Sequence, residues 1–548
     1  MNKLGLLTIL ALATYLTIGA QNSNSAAYRD VTLRRNRDTA ASLIATSPVS
    51  IQCAGKDDTM AILAAVKAAN GGPVVIGAGQ TCAGKEVTLA NVRVEKGGLL
   101  KPVSSHSIKL SGVFEAGDYQ TFTNALPGQG KVYLSANIEA RPIWWGANSD
   151  PGVTDMTTAT QAALDSGSAT LRISGSHRVG SLSVPTSVSR IYGDGLLLQA
   201  KDGANILNAA DSKALTVEGL RFEGVKGDKL ESVNTGIEFT RSSRVRILNN
   251  SFVGLRYFAI HAKGSTDVVI SGNRINGISA GIRLYGVSNA IIDHNYVANP
   301  QYSEFTVAIG LDSADPKYHP FGNNSDVKIT NNEIVSYRYG QAILVHSGVR
   351  ITIADNKMND VLAGIAVAGY TRADTTHDVT ITGNTYRGTR TGTAPKGEQN
   401  SGIALSGAAD FKVTHVVVTN NTISEANVIG DLYSQGGITL NYVDDVRVEA
   451  NVIDRCVGAG IAIGHLSTGL VISGNSITNM VAASDTSRAG IILTDGPASG
   501  RVEGNSIDGA TFGMRFNSIS RELIIGPNKI TGVQANFRDL TNVTQGKP

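Results

Sequence analysis

Seven residues in one stretch of this 548-residue chain have the types and spacing that acid–base chemistry needs: Glu238, His261, Lys263, Arg283, Tyr285, Asp312 and His346. Each lies in a short repeated strand pattern: Gly236-Ile-Glu-Phe-Thr240, Ala259-Ile-His-Ala-Lys263, Gly281-Ile-Arg-Leu-Tyr285, Ala308-Ile-Gly-Leu-Asp312. If successive repeats pair in register, equal positions form straight columns about 5 Å apart. One column then reads Glu238, His261, Arg283, Gly310, Leu344, Ala366, and its neighbour Thr240, Lys263, Tyr285, Asp312, His346, Ala368. Charge and aromatic character crowd the early strands and thin out after His346, whereas a merely solvated face would scatter them.

Such a row puts acids, bases and cations within reach of one sugar ring. β-Elimination on a uronic-acid polymer needs the carboxylate neutralised, a base for the C5 proton and an acid for the leaving oxygen. Lys263, His261 and Tyr285 are the base and acid candidates, and His346 completes the catalytic set. Arg283 is the best carboxylate clamp, because its fork binds bidentately. A base role for Lys263 requires a lowered pKa, which nearby Arg283 and His261 could supply. Glu238 and Asp312 join Arg283 in holding substrate, with Asp315, Lys317, Tyr318 and His319 on the loop that follows. Hydrolysis needs two carboxyl groups about 5 to 9.5 Å apart, and Glu238 and Asp312 are three repeats, about 15 Å, from each other. Asp312 with Asp315 or Glu304 remains open as a hydrolytic pair. The same three carboxylates are a conceivable calcium site, without the loop spacing that would establish one. No other metal or cofactor is implied.

The elements that position these residues are repeats. An asparagine recurs at Asn250, Asn273, Asn295, Asn332, Asn356, Asn384, Asn421, Asn451, Asn475, Asn505 and Asn528, with shortest intervals of about 22 to 24 residues. That is one coil of a solenoid, and the asparagines should stack inside a turn. Strands such as Val268-Val-Ile-Ser-Gly-Asn-Arg-Ile275 alternate as strands do. Abundant glycine (61 residues) and only 5% aromatics suit many short strands joined by tight turns. Insertions at 300–306, 313–325, 371–377, 387–400, 424–436 and 481–488 belong at turns, where they can wall a groove.

Upstream, Asp57-Asp58-Thr59 precedes a helical pattern over 60–69 that Gly71-Gly72-Pro73 ends, with Asp or Thr as the expected N-cap. The plan returns at Trp144-Trp-Gly-Ala-Asn-Ser-Asp-Pro-Gly-Val-Thr-Asp155, with a second helix from about Met156 to Asp165. This opening, with the strand run from Leu171 to Pro185, resembles the pectate-lyase-like superfamily of single-stranded right-handed parallel β-helices. It departs from that pattern at Met156, where the family usually has a second Asp. The resemblance covers about 143 to the C-terminus and implies an all-β solenoid with short N-terminal capping helices. It also implies a fold shared by pectate lyases, polygalacturonases, alginate-modifying enzymes and phage tailspikes, so it does not choose a reaction.

Within that family, Asp315-Pro-Lys-Tyr-His319 resembles the Asp-Pro-His of alginate epimerases. Ile292-Asp-His-Asn295 resembles the Ile-Asp-His of pectate lyases, yet reads as an ordinary asparagine turn. Gly464-His465 resembles the Gly-His-Gly of polygalacturonases, but Leu466 replaces the last glycine and the preceding coil has no Asp-Asp.

The remaining features place the chain. Lys3 and the apolar run from Leu4 to Ala20 read as an export signal over 1–27, cleaved after Ala20 or Ala27. A β-rich N-terminal cap is expected over 28–142, the solenoid over 143–535 and a tail over 536–548. The formal net charge of +3 gives no bulk case for nucleic acid or an anionic membrane. Cys53 and Cys82, in matching Cys-Ala-Gly-Lys contexts, can form a disulfide, and Cys456 reads as a buried hydrophobe. The expected protein is secreted, periplasmic or at the cell surface, and lyses or epimerises an extracellular acidic polysaccharide. A tailspike or depolymerase, a glycoside hydrolase of the same fold and a non-catalytic adhesin are the alternatives, and oligomeric state is open.

Overall fold

The computed structural model describes residues 47–539, except 124–129, 202, 226–233, 302–305, 313–319, 370–375, 391–399, 427–435, 482–487, 495 and 518–521, and only backbone for 536–539. The expected signal segment, Glu304, Asp315, Lys317, Tyr318 and His319 lie outside the described residues. Two compact units meet in sequence between Ser135 and Ala136. Among the described residues no helix is long and apolar enough to cross a membrane.

In the first unit, strands Val49–Ser50, Val74–Ile76, Val87–Val94, Ser107–Glu115 and Lys131–Leu134 form one parallel sheet. A helix, Thr59–Ala69, buries Ile62, Ala65 and Ala69. Asp58 does not cap it. Its carboxylate accepts from the backbone of Ala54, Gly55 and Ala83 and so ties the Cys53 loop to strand Thr81–Gly84, while Asp57 accepts the Thr59 N–H. Cys53 and Cys82 are joined in a disulfide.

The second unit is a right-handed parallel β-helix of three 14-stranded sheets. Each coil contributes one strand to each sheet, and all pairings of these strands are parallel. Helix Thr157–Leu164 buries Ala159, Thr160, Ala163 and Leu164 near its start. The asparagine column is continuous: Asn273 Nδ2 donates to Asn295 Oδ1 at 2.9 Å, Asn295 to Asn332 at 3.0 Å, and so on to Asn505 and Asn528 at 2.9 Å. Each Oδ1 also accepts the backbone N–H of the preceding asparagine. The residue before each asparagine from Asn250 to Asn505 is left-handed, His294 (φ 53°) among them, so Ile292-Asp-His-Asn295 forms a turn, with His294 exposed and bonded to Asp293.

A second polar column stands at another turn. Ser212 N–H donates to Ser242 Oγ (3.1 Å), Ser242 N–H to Ser265 Oγ (3.0 Å) and Val287 N–H to Asn324 Oδ1 (3.0 Å).

The sheets differ in how their outward faces meet solvent. Ser243–Leu248 and its sheet alternate buried and accessible positions. The sheet holding the candidate row does not: Ala280–Tyr285 is buried at all six positions, and Val307–Leu311 at all five. Of the two columns, the one that runs through His261 and Arg283 is the more enclosed, down to Ala462 and Ile492 in the later coils, whereas Thr240, Lys263 and His346 of its neighbour are half-buried.

Candidate active site

Strands Thr235–Thr240, Phe258–Lys263, Ala280–Tyr285, Val307–Leu311 and Gln341–Val345 are consecutive neighbours in one sheet. Their register sets Glu238 beside His261, His261 beside Arg283 and Arg283 beside Gly310, and Lys263 beside Tyr285. Asp312 and His346 prolong the second column, each held by a backbone bond to the preceding strand. All seven residues of the row are thus brought together.

Charge divides the row into two groups. In the first, Glu238 Oε2 lies 3.1 Å from His261 Nδ1 and 3.0 Å from Lys263 Nζ. Burial would raise the Glu238 carboxyl, but the hydrogen bond and charge of His261, with those of Lys263, outweigh it and hold the group at about 2. Burial depresses His261 to about 4, against the pull of Glu238. At neutral pH, therefore, the imidazole is neutral and its Nδ1–H donates to Glu238, whose Oε2 also meets Lys263 Nζ. That tautomer leaves the lone pair on Nε2, which is buried with no hydrogen-bond partner. Lys263 is not set among cations alone, as its expected base role required, but against the Glu238 carboxylate.

In the second group, Arg283 Nη2 donates to Asp312 Oδ1 at 2.8 Å, with both side chains almost fully buried. His346 Nδ1 is 3.6 Å from the same oxygen. Burial would raise the Asp312 carboxyl, but Arg283, His346 and Tyr285 together hold it well below the usual range. Burial lowers the Arg283 pKa, and the Asp312 charge reverses the shift. Arg283 Nε and Nη1 have no hydrogen-bond partner among the described residues. The guanidinium lies across Gly310, where a Cβ would be 2.5 Å from Nη1. Glycine is needed here for space.

Tyr285 joins the groups. Its ring meets His261 edge-on at 5.0 Å between centroids, and its hydroxyl hydrogen-bonds Asp312. Burial, then the Asp312 charge, push the phenol far above its ordinary value, so it stays protonated.

Aromatic packing backs the site. Phe258 packs against His261 (4.5 Å) and Tyr257 (4.0 Å), and Arg283 sits 6.0 Å over its ring. Phe321 lies against Gly264 and Gly286, the glycines that follow Lys263 and Tyr285. The two columns miss Tyr257, Phe258 and Phe321, and they include Gly310 without disclosing that Arg283 needs its missing side chain. The signal available for Phe258 is a large ring at a strand start where neighbouring coils place Ala280 and Val307.

Asp312, one of the carboxylates considered for calcium, is committed to Arg283. Among the described residues no group of three His, Cys, Asp or Glu is arranged to hold a metal. His465 is exposed and stacks on Tyr442 (5.1 Å, 8° between planes), far along the coil order from Asp312.

The sequence matches the right handed beta helix region family over residues 202–386 and 320–530, and the chain belongs to that family. No curated protein sequence matches it. It is similar to several solved structures. The surface adhesin PfbA of Streptococcus pneumoniae is 16% identical, with 75% of this chain and 95% of that chain covered and a TM-score of 0.48. The tailspike protein of E. coli bacteriophage HK620, in complex with pentasaccharide, is 14% identical over 88% and 76%, with a TM-score of 0.43. The mannuronan C-5 epimerase A-module of Azotobacter vinelandii is 15% identical over 75% and 100%, with a TM-score of 0.42.

Proposed function

We propose that this protein acts on an extracellular acidic polysaccharide by abstracting the C5 proton of a uronate residue, leading to β-elimination or epimerisation. The observation that carries this reading is the pairing of a neutral, Glu238-oriented His261, whose Nε2 has no partner, with a protonated Tyr285 at ring contact. His261 Nε2 takes the C5 proton. In elimination the C4–O bond then breaks, C4 and C5 become doubly bonded, and the leaving oxygen takes the Tyr285 proton. In epimerisation a proton returns to C5 from the opposite face.

Arg283 offers Nε and Nη1 to the sugar carboxylate, which favours the carbanion by withdrawing charge. Lys263 and His346, the least buried cationic or basic members, border the reacting ring, and Glu238 and Asp312 orient rather than react. Hydrolysis has less support. It needs one carboxyl protonated at working pH, and both described carboxyls are held low by their cations. Secretion remains part of the proposal and rests on the N-terminal leader.

The test is a screen of the mature protein against alginate, pectate, glycosaminoglycans and bacterial capsules. It reads absorbance at about 232 nm for unsaturated ends, reducing ends, and C5 inversion by NMR. On the active polymer, His261→Ala and Tyr285→Phe should lower kcat/KM by at least about a hundredfold, within the range general acid–base catalysis supplies. Lys263→Ala and His346→Ala should weaken it less. Full activity in all four variants would end the assignment, and binding without product would point to the adhesin alternative.

A further inference from the structure

Exposed arginines on this unit mostly pair one to one, as in Arg190–Glu218, Arg241–Asp211, Arg350–Asp326 and Arg447–Glu449. Three successive coils break that rule. Strands Thr385–Gly388, Thr422–Ser424 and Val452–Asp454 are neighbours in one sheet, and Arg387 from the first strand, Arg390 from the turn after it and Arg455 from the turn after the third converge on the single carboxylate of Glu425. Arg390 is bidentate, with Nη2 2.9 Å from Oε1 and Nε 3.2 Å from Oε2. Arg387 Nε reaches Oε2 at 3.3 Å, and Arg455 Nε lies 3.6 Å from Oε1.

Burial is opposite for the two signs. Glu425 is only 6% exposed, whereas the arginine side chains are 57%, 66% and 51% exposed. The carboxylate is a floor, and the forks face water. Asp454, 2.6 Å from Arg455, is the one other acid paired here among the described residues. Three guanidinium charges thus face two carboxylates. A guanidinium has five N–H donors, and Glu425 uses two of Arg390's and one of Arg387's. Pure solubility would call for matched exposed pairs. Holding like charges together on one buried anion keeps planar, bidentate donors preorganised for another anion, at low entropic cost.

We propose that Arg387, Arg390 and Arg455 form a binding site for the anionic groups, carboxylate or sulfate, of an acidic polysaccharide. The site is separate from the Glu238–His346 row. The strands that follow these turns lie three to five steps beyond Val307–Leu311 in their sheet, about 14 to 24 Å along the axis. A linear polyanion suits the arrangement, because Arg387 and Arg390 come from one coil and Arg455 from the coil two steps along, with Glu425 on the coil between. The proposal does not depend on the chemistry of the row, since it is read as binding without turnover.

The test measures the affinity of the whole chain for heparin, polygalacturonate, neutral dextran and single-stranded DNA against sodium chloride concentration. The first two separate sulfate from carboxylate. The wild type should bind at least one of them and not dextran. Arg387→Gln/Arg390→Gln should lose tenfold or more in affinity at low salt, and the slope of log K on log salt should fall by about 0.7 to 0.9 per lost contact. Arg447→Gln, from a matched pair, should change neither. Wild-type affinity and slope in a folded double variant would overturn the proposal. So would an equal loss in Arg447→Gln, equal binding of DNA, or no binding to either acidic glycan. If the double variant does not fold, Arg455→Gln decides: its slope falls by about one contact's worth or the site is wrong.

Discussion

Gly310→Ala tests the core of the candidate site with a single methyl group. Gly310 is outside the left-handed region, so its backbone accepts alanine, and that change alone would stabilise by about 0.4 to 1 kcal/mol through the unfolded chain. Arg283 decides otherwise. The new Cβ would stand 2.5 Å from Nη1, 2.9 Å from Cδ and 3.1 Å from Cζ. The end of the side chain must move by about 1 Å to reach an ordinary contact distance. A shift of that size takes the 2.8 Å bond to Asp312 past hydrogen-bonding range in a nearly fully buried pair. Overpacking costs about 1 to 3 kcal/mol and breaking a buried ion pair about 3 to 5, so partial relaxation places the net loss near 2 to 4 kcal/mol.

Urea unfolding followed by tryptophan fluorescence measures this loss, because both tryptophans, Trp144 and Trp145, are buried in the second unit. The decisive comparison is a double-mutant cycle. Without the guanidinium, in an Arg283→Ala background, Gly310→Ala should be neutral or stabilising, giving a coupling of at least about 2 kcal/mol. If Gly310→Ala is neutral in both backgrounds, Arg283 does not lie across this strand. The site assembled around it then fails.

Further outcomes follow from two residues, His261 and Asn356. The unfolded chain takes up a proton near pH 6.5 that folded His261 refuses until about 4, so stability should fall as pH drops through that window, by up to about 3 kcal/mol. His261→Gln should flatten that slope. On the active substrate the acid limb of kcat/KM should lie near pH 4, and a limb near 6.5 would contradict a buried neutral imidazole. In the asparagine column, Asn356→Ala removes the partner of the Asn332 backbone N–H and side-chain amide and of the Ile329 and Ala354 carbonyls. Chemical denaturation should read a loss of about 3 kcal/mol, from more than one buried orphaned group.

The asparagine column was legible because one residue type recurs at one position, and an amide that both donates and accepts can do so without end. The serine column was not, since Ser242, Ser265, Val287 and Asn324 share a position but not a chemistry, and only geometry reveals that their turns align. The candidate row was legible as a list, because in-register pairing converts sequence spacing into distance. Its roles were not. That Lys263 faces Glu238, and that Arg283 is spent partly on Asp312, depends on side-chain direction across neighbouring strands. Nor did the pattern of Gly281-Ile-Arg-Leu-Tyr285 disclose that its outward side is enclosed. Alternation signals which residues share a face, not which faces meet water. The arginine cluster escaped altogether, because its members lie up to 68 residues apart and converge on a glutamate in no motif.

The continuous asparagine column makes this unit a ruler with fixed graduations. Within the column each amide bonds the asparagine before it and the one after it, so a coil can be removed or duplicated whole and the column rejoined, while a partial coil leaves two ends unmatched. The separation between the Glu238–His346 row and the Arg387–Arg455 cluster can therefore change only in steps of about 4.8 Å. Deleting the single coil between Asn356 and Asn384 would bring them one graduation closer without altering either, and the length of glycan that spans both would shorten with it.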